Sequence, residues 1–91
     1  MTRYRRRDGV SERQIDDELF LVVPDTEAVF HLNPVGTAIW RLLAEAHSLD
    51  DLHEILGGIF TDAAPHQLRA DAEAFLGELA GYGLLRDADG D

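Results

Sequence analysis

Residues 28–40 read AVFHLNPVGTAIW, and the change of pattern inside this stretch decides the fold class. In AVFHL, residues 28–32, the alternation puts Ala28, Phe30 and Leu32 on one face of an extended segment. Asn33 and Pro34 then end the strand and start a helix. Asn accepts hydrogen bonds from amides that a first turn leaves unpaired, and proline at the first helical position gives up no donor that the helix needs. Beyond them Val35, Ile39, Leu42, Leu43 and Ala46 recur at spacings of three and four, which predicts a helix over 34–46. Trp40 widens its buried stripe and reads as core.

Working backwards, LFLVV at 19–23 is an apolar run too short for a helix and rich in strand formers, so it reads as the central strand. Pro24 and Asp25 supply the turn that joins it to 28–32, and the acidic DDE at 16–18 supplies the turn before it. A first strand over 10–15 completes a three-stranded antiparallel meander. Working forwards, Ser48 caps a second helix with Asp50 and Asp51 in its first turn, where they complement the helix dipole. Leu49, Leu52, Ile55, Leu56 and Ile59 form its apolar side, and Gly57 and Gly58 weaken its end. TDAAP at 61–65 resets the chain. A third helix runs to about residue 82 with Leu68, Ala72, Phe75, Leu76 and Leu79 on one face, and Gly83 closes it. Leu84 and Leu85 pack back on the core. Three strands followed by three helices make an α+β domain.

The chain has 91 residues, room for one domain and one modest core. That domain is expected over 10–86, between a basic, flexible arm at 1–9 and a flexible acidic tail at 87–91. The net charge of −10 is uneven: residues 1–13 hold five Arg against two acids, and residues 14–91 hold three Arg against sixteen. Such a body repels phosphate backbones, whereas the Arg3 to Arg7 cluster can reach an acidic partner. With no cysteine, disulfides, thiolate metal sites and cysteine nucleophiles are excluded. No secretory signal or membrane-spanning run is visible, and the expected location is the cytoplasm.

No catalytic constellation emerges. His31, His47, His53 and His66 fall on different elements at irregular spacing, where a metal site needs at least three converging ligands. The pairs Asp16/Asp17 and Asp50/Asp51 are already explained by turn and cap chemistry. Ser11 and Ser48 lack a nucleophile turn, and the glycines form no phosphate loop. The expectation is a binding protein, not an enzyme, with no cofactor and no metal.

A strand ending in Leu32-Asn33, a helix carrying Gly36, Ile39 and Trp40, then Ser48-Leu49-Asp50-Asp51-Leu52, and finally Asp71 with Phe75, Leu76, Leu79 and Gly83-Leu84-Leu85 follow one another over residues 10–86. In this order and spacing they resemble the PqqD-like family, also called RiPP recognition elements. The resemblance implies a winged helix-turn-helix that binds the leader of a ribosomally made precursor peptide and presents it to a modifying enzyme, such as a leader peptidase or radical enzyme. The pathway it implies is lasso-peptide, quinone-cofactor or similar. It further implies that the leader joins the edge of the third strand and packs against the third helix. The peptide-binding residues would then be Glu27, Ala28, Val29, Phe30 and His31 with Leu68, Arg69, Ala72, Phe75 and Leu76. Arg69, the basic residue beside the helical stripe, would meet an acidic leader residue. Ala46-His47 stands where many relatives have a tight glycine turn, and Ala72, where a larger β-branched residue is common, would deepen the groove.

Two alternatives stay open: a winged-helix protein–protein adaptor, and a DNA-binding regulator. Against the second, the recognition helix LDDLHEILGGIF carries three acids and no Lys or Arg, while DNA affinity depends on positive contacts. No nucleic-acid or membrane partner is expected.

Overall fold

The computed structural model describes residues 2–87. Its elements are strands β1 (Arg3–Arg6), β2 (Ser11–Ile15), β3 (Glu18–Val22) and β4 (Val29–Leu32), helix α1 (Pro34–Leu42), strand β5 (His47–Ser48), helices α2 (Leu49–Ile59) and α3 (Pro65–Gly81), and strand β6 (Leu85–Asp87). The antiparallel meander β2-β3-β4 and three helices are the α+β, winged helix-turn-helix arrangement expected from the sequence. Glu18, read as part of a turn, instead opens β3, because a two-residue loop with Asp16 at φ 56° suffices to reverse the chain.

The meander turns one face inward. Leu19, Leu21 and Val23 from β3 and its end, with Leu32 from β4, are buried against Ile39, Trp40, Leu43, Leu52, Leu56, Leu68, Ala72, Leu76, Leu79 and Leu84. The helix ends are closed by the residues the sequence nominated. Asn33 Oδ1 accepts from the Gly36 amide at 2.7 Å. Ser48 and Asp51 form a reciprocal capping box. Gly83, at φ 71°, lets its own amide reach the Ala80 carbonyl and the Leu84 amide reach that of Leu79, which turns Leu84 back into the core.

Two expectations need correction, and they share one cause. The arm over 1–9 is not a free tail: β1 is the middle strand of a second sheet, ordered β5-β1-β6. The first helix, expected over 34–46, ends at Leu42, because the Leu43 carbonyl accepts from the Arg6 amide at 2.8 Å and the chain tightens through three-residue turns at Ala44 and Glu45. His47, in place of a glycine turn, then runs extended and pairs with Tyr4. The arm's alternation explains its docking. Tyr4 and Arg6 face inward, and the Arg6 guanidinium lies 5.4 Å from the centre of the Trp40 ring while donating to the Trp40 carbonyl at 3.3 Å. The acidic tail expected at 87–91 lies, beyond Asp87, outside the described residues. Among the described residues no helix is long and apolar enough to cross a membrane.

Candidate peptide-binding groove

β4 is an edge strand: β3 covers one side and no strand among the described residues covers the other. The register fixes which backbone groups are left over. Val23 donates to the Ala28 carbonyl at 3.0 Å, so the Val23/Ala28 pair is hydrogen-bonded and the pairs after it alternate. Phe30 and Leu32 therefore spend their amides and carbonyls on β3. Val29 and His31 point theirs outward, an unpaired row that a strand can extend. Val29 is 61% exposed.

Beneath this edge lies a groove of about 190 Å3 between β4, the start of α1 and α3, lined by Phe30, Val35, Gly36, Asp71, Phe75 and Glu78 among others. Its floor is aromatic. Phe30 packs on Phe75 with centroids 5.9 Å apart and meets Tyr82 edge-on at 5.3 Å. Gly36 keeps the floor low, since a Cβ there would stand 3.2 Å from Phe75 Cε1. Asp71, Ala74, Phe75 and Glu78 share one side of α3, as spacings of three and four dictate. At the outer edge the His31 ring packs at a tilt against Phe20, centroids 4.9 Å apart, and approaches Glu18 at 3.6 Å.

The structure brings some nominated residues together and separates others. Phe30, His31 and Phe75 converge on the groove, and Glu27, Ala28 and Val29 form the exposed approach to it. Leu68, Ala72 and Leu76 are core instead, so Ala72 does not deepen the groove. The stripe of α3 that contacts the core lies roughly a quarter turn around the helix from the side facing β4. Arg69 lies on the far side of that stripe, donating to Asp50 at 2.8 Å and approaching Glu73 at 3.6 Å. It does not line the groove. Val35, Gly36, Asp71, Ala74 and Glu78, which the sequence did not single out as peptide-binding, also line the groove, and Tyr82 stands beside Phe30.

A family model described as coenzyme PQQ synthesis protein D (PqqD) matches residues 18–85. Two solved structures resemble the chain over most of its length. One is TbiB1 in complex with the TbiA(beta) leader peptide, at TM-score 0.73 and 29% identity, covering 96% of each chain. The other is the solution structure of the PqqD truncation of Methylobacterium extorquens PqqCD, described as a functional and stand-alone RiPP recognition element. It aligns at TM-score 0.73 and 27% identity, over 92% of this chain and 88% of that one. No curated protein matches the sequence.

Proposed function

Because the chain belongs to the PqqD family, we propose that it binds the leader segment of a ribosomally synthesised precursor by strand addition to β4 and presents it to a modifying enzyme. The observation that carries this reading is the outward row of Val29 and His31 backbone groups beside a groove with an aromatic floor and two carboxylates. Main-chain pairing supplies affinity without regard to sequence, and the groove supplies selection. The leader complex of TbiB1, a protein of the same architecture, supports it.

Energetics require both parts. A micromolar complex needs about 8 kcal/mol after ordering costs, more than a few exposed backbone bonds contribute at about 1 kcal/mol each. An anchor side chain seated in the groove against Phe30 and Phe75 supplies the rest. The pathway class stays as the resemblance implies, lasso-peptide, quinone-cofactor or similar, with a leader peptidase or radical enzyme as the receiving partner. Titration of a candidate leader into the 15N-labelled chain tests the reading: shifts are expected along residues 29–31 and 71–78. Shifts confined to α2 or to β1 would overturn it and favour an adaptor surface.

A further inference from the structure

The groove has a sign. Its two carboxylates, Asp71 and Glu78, sit on the groove side of α3, and no Lys or Arg lines it. Among the described residues neither carboxylate makes an ion pair: Asp71 accepts from Gln67 Nε2 at 2.9 Å, and α3's own arginine is held on the other side by Asp50 and Glu73. The whole chain, with the docked arginines of β1 and β2 counted, carries a net charge of −10, so the wider field reinforces the local charge rather than offsetting it. Resting on the leader-binding reading, we infer that the recognised peptide is basic on the face it turns to α3, with a Lys or Arg on either side of its apolar anchor. This reverses the charge that Arg69 suggested.

The spacing follows from the two periodicities. Asp71 lies four residues before Phe75 and Glu78 three after it, about 6 and 4.5 Å along the helix. Residues two apart on a strand share a face and lie about 6.6 Å apart. For a peptide laid along α3 with its anchor at Phe75, the residues two before and two after the anchor come level with the two carboxylates. Flexible basic side chains absorb the remaining offset. The pattern is basic-x-apolar-x-basic. An acidic peptide would place like charges opposite Asp71 and Glu78 and lose both affinity and steering.

The test is selection of a random 12-residue display library on the full-length chain, run in parallel on its D71N/E78Q variant. Wild type is expected to enrich Lys or Arg two residues from an apolar position, and the variant to keep the apolar position while losing the basic bias. For one enriched peptide, Lys→Gln should weaken binding roughly five-fold per carboxylate at low salt, and the difference should shrink in about 1 M salt. Enrichment of acidic residues, or the same basic bias on the variant, overturns the inference while leaving leader binding intact. Enriched peptides that shift no amide along 29–31 and 71–78 overturn the leader-binding reading itself.

Discussion

Gly36 on α1 and Phe75 on α3 are in such close approach that any side chain at position 36 must displace the aromatic ring, a Cβ standing 3.2 Å from Phe75 Cε1 and from Asn33 Oδ1. Phe75 is part of the groove's floor, so a ring that gives way to a side chain at position 36 alters the surface that a peptide anchor would meet. Gly36→Ala should therefore separate folding from binding. The alanine gains helix propensity of up to about 1 kcal/mol and crowds the Asn33 cap, so net stability is expected to move by less than about 1 kcal/mol. Affinity for a bound leader should fall several-fold. Thermal melting and anisotropy titration of the same preparation check the split, and parallel losses in both would show Gly36 to be a fold determinant alone.

Val29→Pro probes the strand edge. The ladder parity directs the Val29 amide away from β3, so proline removes a donor that no backbone acceptor among the described residues uses. Peptide affinity is expected to drop roughly two- to ten-fold, the worth of one hydrogen bond, with the fold retained. Calorimetric titration is the measurement, and unchanged affinity would contradict the proposed register. Phe30→Pro supplies the contrast: its amide faces β3, so it should unfold the edge.

These two sites also show what sequence alone can reach. Local chemistry announced the meander, the starts of the first two helices and the end of the third: Asp16 and Pro24 at turns, Asn33, Ser48 and Gly83 at caps, each acting within a few residues of itself. The sheet β5-β1-β6 was illegible because its strands are two to four residues long and join Tyr4 to His47 and Asp87, partners chosen only by the folded core. In the groove, Phe30, His31 and Phe75 were reachable through the family resemblance, which points to the third strand and the third helix. Arg69 and Leu76 were misplaced for a different reason. Periodicity finds the side of α3 that touches the core, but which neighbouring side faces β4 depends on how the helix packs. Gly36 carried the resemblance but was given no place in the groove, although a glycine in a helix is costly unless a close neighbour requires it.

Ser48→Ala tests a cap far from the groove. The Ser48 hydroxyl accepts from the Asp51 amide at 3.1 Å, Asp51 Oδ2 accepts from the Ser48 amide at 3.2 Å, and the serine is buried. Losing the hydroxyl leaves that amide without its partner and should cost about 1 kcal/mol, a fall in Tm of roughly 4–8 °C for a domain of this size. Peptide affinity measured well below the new Tm should not change, because Ser48 does not line the groove.

The N-terminal strand yields the prediction that departs furthest from what the basic, polar sequence of residues 1–9 implies. If residues 1–9 were a solvated arm, removing them would leave the fold untouched. In the structure they hold the Leu43 carbonyl through the Arg6 amide and the Leu84 carbonyl through the Arg7 amide, both at 2.8 Å, and they separate β5 from β6. Arg6 also covers one side of Trp40, the single tryptophan of the chain. Truncation to residue 10 should therefore cost on the order of 2–3 kcal/mol, several net hydrogen bonds and the packing of Tyr4, and shift the tryptophan emission to the red. Arg6→Ala, which keeps the strand's backbone, should reproduce the emission change at a smaller loss of stability. A truncated chain with unchanged Tm and emission would mean that β1 rides on the core without supporting it.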